Sequence, residues 1–190
     1  TYKELQGHPP VDVRMNTTAF GYYDDNLVGL VEQVGDPAGT PAPHAPRQRL
    51  WKVRAKAVVL ASGAHERPIA YANNDLPGSM LASAVQTYLR RFGVQPGARA
   101  VVFTNNDSAY ACALALHAAG VTVAEVVDAR PESDLSGALV AQARAAGLKI
   151  QSGSAIIQAH GRRHVRAVEV ASLANIGGAS HRVECDLVCM

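Results

Sequence analysis

A polar turn, Thr104-Asn105-Asn106-Asp107, separates an apolar run from an alanine-rich run. In a dinucleotide-binding fold this turn carries glycines, which bring a pyrophosphate close to the backbone N–H groups at a helix N-terminus. Thr104 and Asn106 stand where the first two glycines of that pattern belong, and Ala109 stands at the third. Asn tolerates a left-handed backbone better than other non-glycine residues, so we expect the turn to persist. Its side chains, however, argue against a close approach of phosphate.

An acidic residue ends the next apolar run of the chain. Asp128 follows Asn106 by 22 residues, close to the offset of roughly 20 residues at which a dinucleotide fold places the carboxylate that binds a ribose hydroxyl. We therefore predict Asn105, Asn106 and Asp128 as cofactor-binding residues. The same pattern fits a fold of this type that has stopped binding nucleotides, because a fold does not specify its ligand. The sequence leaves both interpretations open.

A second segment, residues 58–68, runs from four apolar residues into small ones. A strand that ends in a small residue and a glycine lets the backbone pass close to a cofactor. Gly63 carries this prediction, since we expect that no side chain fits there. Arg67 can meet a phosphate or a carboxylate. The cofactor-binding residues predicted in this segment are Ser62, Gly63, Ala64 and Arg67.

Few other residues have a spacing that suggests chemistry. His160 and His164 are four apart, but the Gly-Arg-Arg sequence between them predicts a hairpin turn, which disfavours a metal site. The three cysteines, Cys112, Cys185 and Cys189, include no CxxC pair and are odd in number, so neither a zinc site nor a disulfide framework is expected. We predict no catalytic and no metal-ligating residue.

The composition is that of an ordinary globular protein, with 48% hydrophobic and 18% charged residues. A net charge of +2 is too small to attract nucleic acid or an anionic membrane. No apolar run is long enough for a transmembrane helix. Cysteine usage favours a reducing compartment, and we expect a cytoplasmic location. The first residues lack an initiator Met and a signal peptide, so we expect an internal piece of a longer chain.

The elements that must position these residues alternate between strand and helix from residue 100 onward. We expect strands at 100–103, 121–127 and 149–151, and helices at 108–119 and 135–146. This βαβαβ alternation predicts an α/β fold with a Rossmann-like, doubly wound parallel sheet. Such a sheet brings the polar turn and Asp128 to one edge, because the carboxyl ends of parallel strands meet there.

Other strands and one helix complete the prediction. We expect a helix at 81–92 that Gly93 ends, and a buried parallel strand at 58–61. Antiparallel strands are predicted at 11–22, 27–33, 155–160, 164–171 and 182–188. The chain then divides into residues 1–74, the β-rich C-terminal part of a first dinucleotide-binding domain, and residues 75–190, a second and degenerate NAD(P)-binding-like domain.

These segments together resemble the pyridine nucleotide–disulfide oxidoreductase superfamily, where a strand ending in Ala-Thr/Ser-Gly closes the first nucleotide domain. In more detail, residues 10–190 look like the alpha subunits of heterotetrameric sarcosine oxidases, and related amine, opine and cyanide-forming oxidases share a looser pattern. The runs that carry the resemblance are LASGAHERP, NNDLPGSMLASAVQTYL, VVFTNNDSAY, VVDARPE and TTAFGYYDDN.

The resemblance implies an FAD/NAD(P)-binding, two-domain flavoprotein fold and an oxidoreductase that acts on a CH–NH donor. It implies oxidative demethylation of sarcosine, with the one-carbon unit passed to tetrahydrofolate and electrons passed to oxygen. NAD would bind the first domain of the intact subunit, and FAD and FMN would be held in a complex with beta, gamma and delta subunits. The chain by itself would be inactive.

Two other classes of function remain open. One is another enzyme of the superfamily, either an amine or opine oxidase subunit or an NAD(P)H-dependent flavin reductase. The other is a non-catalytic scaffold whose second domain only spaces subunits. The sequence identifies neither the bound nucleotide nor the amine substrate.

Overall fold

The computed structural model describes residues 2–7, 10–35, 39, 44–175 and 177–190. They form two compact units, the first unit up to Gly63 and the second unit over Ala64–Met190. The helices are α1 Tyr2–Gln6, α2 Ala82–Phe92, α3 Ser108–Ala118 and α4 Ala138–Ala145. The strands are β1 Thr17–Tyr23, β2 Leu27–Gln33, β3 Gln48–Arg54, β4 Ser79–Met80, β5 Arg99–Thr104, β6 Thr122–Asp128, β7 Ile150–Gln151, β8 Ser154–Gly161, β9 Val165–Ser172, β10 Ser180–Glu184 and β11 Leu187–Cys189.

The first unit is built on an antiparallel sheet in the order β1-β2-β3. Its strands contain Val, Thr and aromatic residues, which favour extended structure. Trp51 donates its indole N–H to Glu32 at 2.7 Å, and the Arg14 guanidinium lies 3.9 Å from the centre of the Trp51 ring. A polar clamp therefore ties β3 to β2 and to the segment before β1.

The prediction of a buried parallel strand at 58–61 is wrong for this structure. These residues form no strand, and Val59 and Leu60 are 88% and 76% exposed. No strand in the described part of the chain pairs with this run, and an apolar run becomes a buried strand only where a sheet accepts it.

The second unit contains a parallel sheet in the order β4-β11-β5-β6-β7. Strands β5 and β6 are adjacent and parallel, with Arg99 opposite Thr122 and Thr104 opposite Asp128. This register confirms the predicted nucleotide-type sheet and places Thr104 and Asp128 side by side at its carboxyl edge.

The two faces of this sheet are covered differently. Helices α2, α3 and α4 pack on one face around a core that includes Val85, Tyr110 and Leu116. The antiparallel sheet β10-β9-β8 packs on the other face, where Val101 and Phe103 of β5 meet valines and Ile156. The alternation of side chains along β5 sends successive residues into these two cores.

Three predicted elements differ clearly from the observed ones, and the first is the strand expected at 11–22, which begins only at Thr17. The strand expected at 182–188 is two strands, because the Asp186 carboxylate accepts the backbone N–H groups of Ala98 and Arg99 at 2.8–3.1 Å and turns the chain from β10 into β11. The helix expected at 135–146 begins at Ala138, after a 3₁₀ turn over Glu132–Asp134.

Candidate functional site

A cavity of about 520 Å³ lies in the second unit, at the carboxyl end of β5. One wall is the segment Ala64–Arg67, and the facing wall is the turn Thr104–Asn106 with the start of α3. Phe103, Ala82 and Met190 close its apolar side. Of the predicted site residues, Ala64, Arg67, Asn105 and Asn106 all line this one cavity.

The polar turn is held together by its own side chains. The Thr104 hydroxyl accepts the Asn106 N–H at 3.1 Å and donates to the Asn106 carbonyl at 2.8 Å. The Asn106 side-chain oxygen accepts both the N–H and the hydroxyl of Ser108, at 2.8 and 2.6 Å. Two backbone donors at the point where a pyrophosphate would bind are therefore already satisfied within the chain.

The expected backbone conformation of this turn is not the one observed. Neither Asn105 nor Asn106 has a positive φ. The turn persists, as expected. It is stabilised by the hydrogen bonds of the Thr104 and Asn106 side chains, and no asparagine in it adopts the left-handed conformation. Asparagine at 106 serves as a side-chain cap for the start of α3.

Asp128 lies in the interior and does not line the cavity. One of its oxygens accepts the backbone N–H and the Nε–H of Arg130, at 2.9 and 3.1 Å. The other accepts the Tyr110 hydroxyl at 2.9 Å and Arg130 Nη2 at 2.8 Å. The same Nη2 atom lies 2.9 Å from a carboxylate oxygen of Asp107. These four residues, Asp107, Tyr110, Asp128 and Arg130, are called the Asp128 network below.

The electrostatics of the network favour a neutral tyrosine and a charged arginine. Burial raises the pKa of Tyr110, and its hydrogen bond to the Asp128 carboxylate raises this pKa further. Hydrogen bonds to Asp128 and then to Asp107 raise the pKa of Arg130. The buried carboxylate at 128 is therefore fully bonded by the chain itself, as a buried charge must be.

These residues do not fit a dinucleotide bound in the usual manner of this fold. Such binding needs free N–H groups in the turn and a strand-end carboxylate open to a ribose hydroxyl. In the second unit, Thr104 and Asn106 engage N–H groups of the turn, and Tyr110 and Arg130 engage Asp128.

The opposite wall of the cavity carries two charged residues, Glu66 and Arg67. Only Glu66 has a hydrogen-bond partner among the described residues. The Glu66 carboxylate accepts the N–H of Ser83 at 2.8 Å and so caps the start of α2. Arg67 is exposed, and no ion pair involves it in the part of the chain that the structure describes. A guanidinium without a carboxylate partner is a group that can bind an anion.

Ser62 and Gly63 end the first unit and are exposed. Gly63 has φ of +77°, and a Cβ placed there would have no atom of the described chain within 4 Å. The prediction that no side chain fits at Gly63 is therefore wrong for the described chain, because there is open space around this position. The positive φ is what requires glycine.

Sequence reasoning missed Tyr110, Arg130 and Asp107. A signal existed for two of them: a tyrosine within an apolar helix needs a partner for its hydroxyl, and an arginine two residues after a strand-end acid is placed to pair with it. Among the described residues no group of three or more His, Cys, Asp or Glu side chains is arranged to hold a metal ion.

The chain is similar to sarcosine oxidase alpha subunits along nearly its whole length. It is 41% identical to that of Rhizobium meliloti (strain 1021) over 182 residues, which cover 94% of this chain and 18% of the relative. It is 39% identical to that of Corynebacterium sp. (strain P-1), with 100% of this chain and 20% of the relative covered. The chain belongs to the family of sarcosine oxidase alpha subunits. It spans about a fifth of the length of the curated relatives it matches.

A more distant similarity links the chain to the hydrogen cyanide synthase subunit HcnB of Pseudomonas aeruginosa, at 26% identity over 90% of this chain and 37% of that one. No protein-family model matches the chain. This chain therefore keeps the parallel pairing of β5 and β6, although the turn after β5 lacks the glycines of the dinucleotide pattern.

Solved structures confirm the fold class. A ferredoxin reductase from Rhodopseudomonas palustris matches 92% of this chain and 40% of its own, with a TM-score of 0.55 at 16% identity. The thioredoxin reductase of T. acidophilum matches 66% of this chain and 40% of its own, with a TM-score of 0.51 at 16% identity. The fold is that of FAD/NAD(P)-binding oxidoreductases. No described helix is long and apolar enough to cross a bilayer.

Proposed function

We propose that this chain forms part of the nucleotide-binding region in the alpha subunit of a sarcosine-oxidising complex. The observation that supports this most strongly is the identity of 39–42% to three alpha subunits across 92% or more of the chain. The intact complex would oxidatively demethylate sarcosine, pass the one-carbon unit to tetrahydrofolate and pass electrons to oxygen. NAD would bind the alpha subunit, and FAD and FMN would be held with the beta, gamma and delta subunits in the cytoplasm.

The contribution of this chain would come from the Ser62–Arg67 segment. Gly63 holds a backbone conformation that few other residues adopt, and Arg67 offers an exposed guanidinium at the cavity wall. A phosphate or a carboxylate can take up two hydrogen bonds from such a group. We expect the segment to complete a nucleotide pocket whose remaining parts lie outside this chain, while catalysis belongs to other residues.

The test is an assay of the purified complex with sarcosine as substrate. We expect sarcosine-dependent oxygen uptake, with less free formaldehyde when tetrahydrofolate is present. Glycine, which lacks the N-methyl group, serves as the control substrate. Turnover of an opine or another amine in place of sarcosine would support a different oxidase of the family, and the similarity to HcnB makes that the second candidate.

The role of Arg67 can be tested in the same complex. Because Arg67→Ala removes the exposed cation, we expect at least about tenfold weaker nucleotide binding, the loss of one charge-assisted interaction. Arg90→Ala, an exposed change on α2 away from the cavity lining, is the matched control. Equal nucleotide content in both variants and the wild type would contradict a binding role for Arg67.

A further inference from the structure

Arg130 lies where a dinucleotide fold can place a phosphate-binding arginine, but carboxylates of the chain already engage its Nε and Nη2 groups. In a dinucleotide fold, an arginine near the strand-end acid accommodates the 2′-phosphate of NADP. Here Arg130 follows Asp128 by two residues, and its Nη2 atom lies 2.8 Å from Asp128 and 2.9 Å from Asp107. Two carboxylates of the chain therefore engage the Nε and Nη2 edge of the guanidinium, which a ligand phosphate would need for a two-point contact.

Three features hold the Asp107 carboxylate in that position. The first is the ion pair with Arg130. The second is the start of α4, whose N-cap is Gly137: a Cβ at 137 would overlap the Asp107 carboxylate, so the missing side chain makes room for it. The third is the partial positive charge at the N-terminus of α4, which favours a nearby anion such as the Asp107 carboxylate. Asp107 thus occupies a site with the features of an anion-binding site.

The charge of the network also disfavours a ligand phosphate. Asp107 and Asp128 carry two negative charges and Arg130 carries one positive charge, while Tyr110 stays neutral. A phosphate that approaches this site meets a net negative charge at short range, which weakens its binding. The turn adds to this, since its N–H groups at Asn106 and Ser108 are engaged.

We propose that Asp107 is an internal anion that closes the Arg130 side of the parallel sheet, at the carboxyl ends of β5 and β6, to a dinucleotide. Its carboxylate competes with a nucleotide phosphate for Arg130, while Thr104 and Asn106 seal the pyrophosphate turn. The sheet of the second unit keeps the fold of a nucleotide domain and shapes one cavity wall, and it binds no nucleotide through Arg130. This inference stands on contacts within the second unit and does not require that sarcosine be the substrate.

The experiment uses the full-length subunit and adenosine 2′,5′-bisphosphate, a probe with the 2′-phosphate of NADP, in a calorimetric titration. We expect the wild type to show no binding that Arg130→Lys weakens. Because Asp107→Asn removes one of the two competing charges, we expect binding to appear, a gain of at least about tenfold. Asp134→Asn changes the net charge equally on an exposed residue outside the Asp128 network, and we expect no gain.

Either of two results would overturn the proposal. One is binding of the bisphosphate by the wild type that Arg130→Lys weakens, which would show an open site. The other is a folded Asp107→Asn subunit with no more affinity than the wild type. Thermal unfolding checks that the variants fold, and Asp107→Ser replaces Asp107→Asn if the latter does not. Sarcosine turnover is read separately, so failure of the proposed activity cannot be mistaken for failure here.

Discussion

Asp128 has the residue type of a ribose-binding acid, but its oxygens bond to the interior of the second unit. It is fully buried, and Tyr110 and Arg130 together donate four hydrogen bonds to it. A buried carboxylate without such partners would cost several kcal/mol. The residue therefore contributes to the stability of the second unit.

Tyr110→Phe tests that contribution at the scale of one hydrogen bond. The variant leaves a buried Asp128 oxygen with one donor fewer, and we expect a loss of about 1–2 kcal/mol in the free energy of unfolding. Urea unfolding at neutral pH measures it. Tyr88→Phe, at a ring that is 44% exposed, is the control and should change stability by less than about 0.5 kcal/mol. Equal effects of the two changes would contradict the assigned role of Asp128.

Glu125 is a second fully buried carboxylate, on β6 and outside the candidate site. Lys149 and His181 lie 3.1 Å from its two oxygens, and their side chains are 62% and 44% exposed. Glu125→Gln keeps the shape and removes the charge, so we expect a loss of about 1–3 kcal/mol in the free energy of unfolding. Glu184→Gln breaks an exposed pair with Arg182 and should cost little. Urea unfolding measures the free energy of unfolding of both variants. A similar loss in each would mean that the buried Glu125 charge contributes no more to stability than the exposed Glu184 charge does.

Cys185 links stability to alkaline pH. Burial, with the charges of Asp186 and Glu184, raises the pKa of this thiol from 9.0 to about 12. The unfolded chain loses the proton near pH 9 and the folded chain only near pH 12, so this contribution to stability falls as the pH rises between those values. We expect Cys185→Ala to show a shallower decline of stability above pH 9 than the wild type. Identical slopes in pH-dependent unfolding would argue against this effect.

The end of α2 tests an element boundary that the sequence predicted. Gly93 has φ of +64°, and a Cβ there would have no atom of the described chain within 4 Å. The cost of Gly93→Ala is therefore conformational, and we expect a loss of about 1 kcal/mol in the free energy of unfolding. Gly93→Asn should cost less, because Asn tolerates the left-handed region better. Thermal unfolding distinguishes them, and an asparagine variant less stable than the alanine variant would contradict the cap.

The sequence predicted the elements whose signals are local. Apolar runs and glycine stops located β5, β6, α2 and α3 to within one or two residues, because strand and helix periods are read over a few residues. The break between β10 and β11 was missed, since the Asp186 carboxylate that turns the chain bonds to residues nearly 90 positions away. Long-range bonds of this kind leave no local pattern.

The same distinction holds for the candidate site. The turn and Asp128 were located from their spacing along the chain, and the sheet register placed Thr104 opposite Asp128 as such spacing requires. What the side chains bond to was not predictable from spacing. The Tyr110 hydroxyl reaches Asp128 only because α3 packs on β6, and that contact follows from tertiary packing.

At the scale of the whole molecule, the described part of the chain exposes several large apolar side chains. The exposed large hydrophobic residues include Phe20, Leu50, Val59, Leu60 and Phe92. Their exposure agrees with a chain that spans about a fifth of its relatives. If the proposed function holds, most of this surface is buried against other parts of the subunit and its complex.

Leu60→Ser, measured in two contexts, tests this last point. The side chain is 76% exposed in this chain, so in the 190-residue chain we expect a change in the free energy of unfolding within about 0.5 kcal/mol. In the full-length subunit, where other parts of the subunit would cover this run if the proposed function holds, burial of a leucine contributes about 1.5–3 kcal/mol, and the same change should lower stability by a similar amount. Lys56→Ser, an exposed polar change four residues away, should be neutral in both. A neutral Leu60→Ser in the full-length subunit would mean that this apolar run stays exposed there, which would contradict its proposed burial.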